Sequence, residues 1–376
     1  MIILAIARRV IVDTQQASPY IIVKKIKEIE MSVENPLGLR GIEFVEFTSP
    51  NPETLHNLFL EFGFSKIGKH KSKDVDYYRQ NDIHFFINKE DGSFGKSFAN
   101  LHGPSICSMG WRMDDALLAC STAIERGAKI GTPDYQRNNK EIPSIFGIGD
   151  SLIYFIDDFE NPKRYEEMGF EYLDNPILSE NKGFIAIDHL TNNVYPGEMA
   201  KWTEFYKSIF GFTEVRYFDI RGAKTGLTSF ALQAPGRSFC IPINEGTETK
   251  SQINEYLDEY KGPGVQHLAF ITHDIVKSVA SLSETSISTL DIDEEYYSEV
   301  FDRVPNVTEN YKDLQKHDIL VDGDEAGYLL QIFTKHIIGP IFIEIIQRKN
   351  HFSFGEGNFG ALFRSIERDQ EKRGYL

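Results

Sequence analysis

The sequence predicts an α+β protein with two tandem domains and a helix at the carboxy terminus. Each domain is expected to be a curved, partly open barrel of repeated βαβββ modules. Three observations predict this class. The chain has 376 residues, which is long for a single core. Its second half repeats motifs of its first half in the same order. Strand patterns dominate, and their order disfavours a doubly wound parallel sheet.

The internal repeat is carried by short segments with related residues. Residues 42–45, 103–111 and 151–155 are echoed by residues 187–190, 262–270 and 341–345, respectively. Two predicted helices also end alike, since residues 62–64 and 210–212 both read Phe-Gly-Phe. A duplicated domain explains these matches, and it allows equivalent positions of the two halves to be compared.

The first copy opens with a strand over residues 41–47. An amphipathic helix over residues 52–62 follows a proline turn and stops at Gly63. The further elements predicted for this copy are strands over residues 77–79, 83–88, 105–113 and 152–156 and a helix over residues 113–126. A segment rich in charged residues, asparagine and proline then predicts a linker.

The second copy repeats this order, with a strand over residues 184–192 and a helix over residues 199–210 that stops at Gly211. Its further predicted elements are strands over residues 228–233, 239–244, 266–272, 328–334 and 341–347 and a helix over residues 273–284. Glycines followed by helix-forming residues predict the terminal helix over residues 355–373.

These elements divide the chain into four parts. They are an amino-terminal extension outside the fold (residues 1–30), a first domain (37–157), a linker (158–182) and a second domain with the terminal helix (183–376). The apolar start of the chain is too short to span a membrane, and no basic residue precedes it. Because Met31 is a plausible alternative start, we interpret residues 1–30 as an upstream extension.

The composition excludes some partners. A net charge of −16 at pH 7 disfavours nucleic acid and anionic membranes, which bind clusters of lysine and arginine. Three cysteines at no ligand-like spacing predict buried thiols in a reducing compartment. No stretch approaches the length of an apolar membrane span, so we expect a soluble, cytoplasmic protein.

Three polar residues stand at equivalent points of the repeated strands, and only in the second copy. They are His189, His267 and Glu344, where the first copy has Phe44, Ser108 and Tyr154. Two histidines and a carboxylate form the facial triad of non-haem Fe(II) sites, which leaves three coordination positions open for substrate and dioxygen. Structural zinc sites favour thiolates instead. The pattern therefore predicts an iron site.

The alternative is that each of these residues is a satisfied core residue, which is the commoner case for one histidine among apolar neighbours. Glu344 does not fit this interpretation, because burying a carboxylate in an apolar strand is costly without a cation or strong hydrogen-bond donors. Three polar exceptions at three matched positions favour the metal.

Several motifs that contain these residues resemble the 4-hydroxyphenylpyruvate dioxygenase family of the vicinal-oxygen-chelate superfamily. They are residues 187–194 (IDHLTNNV), 264–269 (GVQHLA), 329–334 (LLQIFT), 342–348 (FIEIIQR) and 354–359 (FGEGNF). The resemblance covers about residues 37–375 and is weaker in the first copy. It implies two tandem vicinal-oxygen-chelate domains, of which the second is catalytic.

The resemblance implies an iron enzyme of tyrosine and phenylalanine catabolism that converts 4-hydroxyphenylpyruvate and O2 to homogentisate and CO2. The triad would hold Fe(II), and Gln266 and Gln331 would be catalytic. The substrate-binding residues would be Ser229, Asn244, Gln252, Gln266, Gln331, Phe333, Phe354, Asn358 and Phe359. The resemblance also implies a homo-oligomer, either a dimer or a tetramer. Without it, the phenylalanines would be interpreted as packing and Gln331 as a core amide.

Two other functions stay open. A 4-hydroxymandelate synthase would use the same substrate and metal but hydroxylate the side-chain carbon, and Phe333, Asn358 and Phe359 favour attack on the ring instead. A metal-free binding protein of the same superfamily would lack the complete triad. His273 and His336 are expected to lie at a strand end and a turn and to tolerate glutamine.

Overall fold

A computed structural model describes residues 35–376. The extension predicted over residues 1–30 lies outside the described residues. Two eight-stranded mixed sheets follow one another along this part of the chain. Among residues 35–376, no helix combines the length and the apolar character that crossing a membrane requires.

Residues 35–177 form ten strands and four helices. The strands are β1 (Leu39–Thr48), β2 (Ser65–His70), β3 (Val75–Gln80), β4 (Ile83–Asn88), β5 (Ser105–Met113), β6 (Gln136–Arg137), β7 (Lys140–Glu141), β8 (Ser144–Phe146), β9 (Leu152–Ile156) and β10 (Phe170–Ile177). The helices are α1 (Pro52–Glu61), α2 (Phe94–His102), α3 (Ala116–Glu125) and α4 (Arg164–Glu167). The first sheet has the order β10-β2-β3-β4-β1-β5-β9-β8, while β6 and β7 pair separately.

The second half contributes the second sheet and the terminal helix. Its strands are β11 (Phe184–Val194), β12 (Thr213–Arg221), β13 (Gly226–Gln233), β14 (Cys240–Gly246), β15 (Gly264–Thr272), β16 (Leu320–Asp324), β17 (Gly327–Phe333) and β18 (Phe342–Lys349). Its helices are α5 (Met199–Phe210), α6 (Gln252–Tyr260), α7 (Ile275–Ala280), α8 (Glu294–Arg303), α9 (Tyr311–Lys316) and α10 (Phe359–Lys372). The sheet order is β12-β13-β14-β11-β15-β18-β17-β16.

The two sheets share one pairing pattern, which confirms the predicted repeat. In the first sheet, β1 runs parallel to β4 and antiparallel to β5, and β5 runs parallel to β9. In the second sheet, β11 pairs in the same way with β14 and β15, and β15 pairs with β18. The α+β fold class of two tandem curved domains with a terminal helix is therefore confirmed.

The structure corrects two predicted boundaries. Part of the predicted linker over residues 158–182 belongs to the first sheet, because β10 pairs antiparallel with β2. This edge strand is mostly exposed and lacks the apolar alternation of a half-buried strand. The helix predicted over residues 273–284 is shorter and spans only α7. The division of the chain into domains otherwise stays a prediction.

The two sheets pack on a common apolar core and differ on their inner faces. In the common core, the ring of Trp111 lies 4.9 Å from that of Phe210, so β5 contacts the end of α5. The inner face of the first sheet is filled by aromatic rings, with Phe44 lying 4.6 Å from Phe86 and 6.0 Å from Tyr154. The inner face of the second sheet borders a cavity instead.

Candidate metal centre

Three neighbouring strands place the predicted triad at one level of the second sheet. His189 on β11 lies opposite Ala269 on β15, and Ala269 lies beside Glu344 on β18. His267 is two residues from Ala269 along β15 and lies opposite Thr191. Because side chains two residues apart on a strand share a face, the three ligating side chains point to the same inner side.

The ligating atoms of these residues converge. One atom of each lies within 4.8 Å of the others, and all three residues are buried. His189 Nε2 is 3.1 Å and His267 Nε2 is 3.5 Å from Glu344 Oε2. Adjacent ligands of an octahedral ion at about 2.1 Å are about 3.0 Å apart. The spacing therefore fits three ligands of one ion.

Each imidazole is oriented through its second nitrogen. His189 Nδ1 donates a hydrogen bond to Asp188 Oδ2 at 2.8 Å. His267 Nδ1 donates to Gln266 Oε1 at 3.1 Å. Since both acceptors fix the proton on Nδ1, the lone pair of each Nε2 faces the site, which is the arrangement of metal-bound histidines.

The electrostatics of the group favour a cation. Burial lowers the pKa of His189, but the carboxylates of Glu344 and Asp188 outweigh burial and raise it to about 9. Burial alone dominates at His267, whose pKa is lowered. Burial raises the pKa of Glu344, but the two imidazoles outweigh it and bring it to about 2. The site therefore holds an ionised carboxylate beside one charged imidazole, that of His189, and one neutral imidazole, that of His267. A metal ion would replace the positive charge of His189.

This donor set fits the group that the sequence predicts. Two imidazole nitrogens and one carboxylate oxygen match the facial triad of non-haem Fe(II) proteins, and the adjoining cavity leaves space for further ligands on the open side. The cavity and its open mouth together enclose about 910 Å³.

Aromatic rings form much of the cavity wall around the triad. Phe342 stacks on His267 at 4.7 Å, and the ring of Phe354 lies 5.9 Å from that of His189. Phe359, at the start of α10, contacts Phe218 of β12 with a ring separation of 5.2 Å. The wall therefore combines the sheet with the terminal helix.

All but one of the residues predicted for the site line this cavity. They are His189, His267, Glu344, Ser229, Asn244, Gln252, Gln266, Gln331, Phe333, Phe354 and Phe359. Ser229 and Asn244 are register partners on β13 and β14. Gln331 Oε1 is buried and accepts no hydrogen bond from the described residues, so it can accept one from a ligand. Their individual roles stay predictions.

Asn358 is the exception, because the structure does not bring it to the cavity. Its Oδ1 accepts hydrogen bonds from Tyr296 Oη at 2.7 Å and from Arg303 Nη2 at 3.3 Å. Both partners belong to α8. The fully buried Asn358 therefore holds the start of α10 against α8 and makes no wall of the cavity.

Some lining residues were missed by the sequence analysis. Leu362, Phe363 and Ile366 present one face of α10 to the cavity. Together with Phe359 they occupy positions i, i+3, i+4 and i+7, a helical spacing that could have indicated this. Phe218 was missed because β12 was not predicted. His336, which was expected only to lie near a strand end or turn and to tolerate glutamine, also lines the cavity.

Comparisons with known proteins agree with this architecture. Residues 33–171 match the family described as Hydroxyphenylpyruvate dioxygenase, HPPD, N-terminal. Residues 186–321 match the Glyoxalase/Bleomycin resistance protein/Dioxygenase superfamily. A solved mutant of 4-hydroxymandelate synthase from Streptomyces coelicolor has the same fold, with a TM-score of 0.77 and 23% identity over 89% of this chain and 100% of that chain.

Two curated relatives match over almost their whole length. Protein MelA of Shewanella colwelliana is 58% identical over 346 residues, which cover 92% of this chain and 99% of that protein. The 4-hydroxyphenylpyruvate dioxygenase of Legionella pneumophila is 44% identical over 349 residues, with the same two coverages. Together with the two domain matches, these similarities show that the chain belongs to the 4-hydroxyphenylpyruvate dioxygenase family.

Proposed function

We propose that this chain is an Fe(II)-dependent dioxygenase that converts 4-hydroxyphenylpyruvate and O2 to homogentisate and CO2. The observation that carries the proposal is the convergence of His189, His267 and Glu344 beside an aromatic cavity that holds neutral amides. Relatives named 4-hydroxyphenylpyruvate dioxygenase at 44% identity support the choice of substrate.

In this proposal the triad holds the ion by one face. Fe(II), when bound, would supply a chelating point for the 2-oxo acid of the substrate and would activate O2. Glu344 contributes the negative charge of the ligand set, and Asp188 and Gln266 keep the two imidazoles oriented toward the ion. Because the substrate carries its own 2-oxo acid, no separate 2-oxo acid cosubstrate is required.

The amides Asn244, Gln252, Gln266 and Gln331 suit the task of orienting the substrate. An amide donates and accepts hydrogen bonds without a charge that would compete for the ion. Asn244 Nδ2 lies 3.5 Å from Gln266 Oε1, so these two side chains already form a weak polar contact across the cavity wall. The unpartnered Gln331 Oε1 is available to a hydroxyl or amide donor.

The phenylalanines would shape the slot for the aromatic ring and exclude water. Phe333 comes from β17, Phe354 from the segment that leads into α10, and Phe359 from the first position of α10. Helix α10 is fastened over the cavity, because Glu367 accepts hydrogen bonds from the backbone N–H groups of residues 223–225. A closed apolar wall protects a reactive centre from solvent.

The test is product analysis with the purified protein, Fe(II), 4-hydroxyphenylpyruvate and air. We expect oxygen uptake with homogentisate as the product. If 4-hydroxymandelate were the sole product, the proposed attack on the ring would be wrong. If the iron-loaded protein bound the substrate without oxygen uptake, the chain would be a binding protein. The Glu344→Gln variant is the control for adventitious iron chemistry.

A further inference from the structure

Asp188 and Arg348 extend from His189 in a chain of hydrogen bonds on the side away from the cavity. Asp188 Oδ2 accepts the hydrogen bond of His189 Nδ1 at 2.8 Å. Arg348 then donates to the same carboxylate through Nε and Nη2, each at 2.8 Å, in a bidentate pair. The two side chains are only 14% and 11% exposed. A bidentate pair of this kind restricts the carboxylate to one orientation.

The same guanidinium also holds the turn that follows β18. Arg348 Nη1 donates to the backbone carbonyl of Ser353 at 2.7 Å and to that of His351 at 3.2 Å. The next residue is Phe354, whose ring lies 5.9 Å from that of His189. Gly355 follows in the left-handed region, with φ of 76°, and redirects the chain into α10.

We propose that Asp188 and Arg348 are positioning residues with two linked tasks. They fix the orientation of His189 toward the metal, and they set the turn of residues 351–354 so that Phe354 forms the cavity wall. This inference rests on the proposed function in one respect, namely that His189 is a metal ligand. Neither residue lines the cavity, so neither needs to touch the substrate.

The chemistry of the pair explains why it would matter. A carboxylate on the second nitrogen of a metal-bound histidine fixes the tautomer and increases the basicity of the ligating nitrogen. Arg348 neutralises the charge of Asp188, whose side chain is only 14% exposed. Without the guanidinium, Asp188 would keep a partly buried charge that only His189 could satisfy, and two turn carbonyls would lose their donor.

The first domain supplies a matched control. Glu43 precedes Phe44 as Asp188 precedes His189 in the repeat. Glu43 is likewise a buried carboxylate with arginine partners, since Arg112 Nε donates to it at 2.6 Å and Arg164 also contacts it. Phe44 is no ligand, so replacing Glu43 tests the loss of a buried ion pair without an effect on the metal site.

The experiment titrates Co(II), a spectroscopic substitute for Fe(II), into metal-free protein and follows its visible absorption. We expect Asp188→Asn and Arg348→Met to bind Co(II) about 10- to 100-fold more weakly than the wild type. Glu43→Gln should bind it with unchanged affinity, although its unfolding midpoint falls. Arg348→Lys keeps the charge without the bidentate geometry and should recover part of the affinity for Co(II). It also provides a measurement if the Arg348→Met variant does not fold.

A second measurement separates the two tasks. Hydrogen exchange by mass spectrometry should be faster over residues 350–356 in Arg348→Met, and unchanged there in Asp188→Asn, because only the arginine holds the turn. The inference would be overturned if Asp188→Asn and Arg348→Met bound Co(II) as tightly as the wild type. It would also be overturned if hydrogen exchange over residues 350–356 were as slow in Arg348→Met as in Glu43→Gln. If the wild type itself failed to bind Co(II), the metal site of the proposed function would be wrong instead.

Discussion

Phe44 and His189 occupy the same register position in two matching sheets. Phe44 lies opposite Gly110, as His189 lies opposite Ala269. The same strands place Tyr154 beside Gly110 and Glu344 beside Ala269. Ser108 and His267 correspond as well, since they lie two residues before Gly110 and Ala269. Each predicted ligand of the second sheet therefore has a structural counterpart in the first, and the counterparts provide controls for experiments on the site.

Glu344→Gln should release iron and abolish most turnover while leaving the fold intact. The amide is a neutral and weaker ligand, whereas the carboxylate is ionised between two imidazoles. Iron content after gel filtration, together with oxygen uptake, measures the effect. The control is Tyr154→Phe at the equivalent position, which loses the hydrogen bond that its hydroxyl accepts from the Asp134 N–H, worth about 1 kcal/mol, but should keep the iron. Full activity of Glu344→Gln in iron-limited buffer would contradict this role.

Glu46→Gln should change how the stability of the protein depends on pH. This carboxyl is buried on the inner face of the first sheet, and burial raises its pKa above 4.5 although Ser108, Tyr135 and Asn88 donate hydrogen bonds to it. The unfolded chain therefore loses this proton at a lower pH than the folded protein does, and the free energy of unfolding falls as pH rises above 4.5.

In the glutamine variant the free energy of unfolding should not fall in this way. The wild type loses about 1.4 kcal/mol for each unit by which the pKa of Glu46 in the folded protein exceeds that in the unfolded chain. Urea unfolding of both proteins between acidic and neutral pH measures it. We expect the variant to gain stability relative to the wild type as the pH increases. If the difference in the free energy of unfolding between the two proteins stayed constant over the whole pH range, Glu46 would not titrate in this way.

Gly357→Ala should destabilise the start of the terminal helix. A Cβ atom at Gly357 would lie 1.6 Å from Arg303 Nη1 and 2.3 Å from Asp322 Oδ1, so the arginine that holds Asn358 would have to move. We expect a loss of about 1–3 kcal/mol in the free energy of unfolding.

Gly360→Ala is the matched control, three residues along the same segment. Its Cβ would meet nothing nearer than Arg364 Nη1 at 3.6 Å, and alanine is favoured over glycine inside a helix by about 1 kcal/mol. Thermal unfolding of both variants measures the contrast. Equal midpoints for the two would mean that Gly357 is not under steric constraint.

Glu367→Gln should loosen α10 over the cavity. One amide cannot accept all the hydrogen bonds that the carboxylate receives from the N–H groups of Ala223, Lys224 and Thr225, at 3.0, 3.0 and 2.9 Å. We expect a several-fold higher KM for the substrate and faster hydrogen exchange over residues 359–372. Glu371→Gln, which breaks an exposed pair with Lys224 worth about 1 kcal/mol or less, should change neither. If the two variants had the same KM and the same hydrogen exchange over residues 359–372, Glu367 would not hold α10 over the cavity.

Much of the site could be predicted because its ligands interrupt apolar strands in a repeated pattern. Strand Ser105–Met113 and helix Met199–Phe210 have their predicted bounds, and they anchor the comparison of the two halves. Edge strands β10 and β12 were not recognised, since they are mostly exposed and carry apolar residues such as Tyr172, Val215 and Tyr217 at exposed positions, which blurs the alternation of a half-buried strand.

Contacts between residues far apart in the sequence could not be predicted either. Asn358 meets Tyr296 across 62 residues, and Arg348 meets Asp188 across 160 residues. Nothing in the local pattern distinguishes such a charged residue from one on a solvated face. Its role depends on which strands become neighbours, and that is decided only when the whole sheet forms.

The aromatic filling of the first sheet has a consequence for the history of the duplicated domain. Placing two histidines and a glutamate at positions 44, 108 and 154 would not by itself reproduce the site of the second sheet, because packed aromatic side chains, among them Phe86, fill that inner face. Emptying that volume would create voids that destabilise the domain. A metal site with a substrate cavity in the first sheet would thus require many coordinated substitutions, each of which destabilises the domain when made alone.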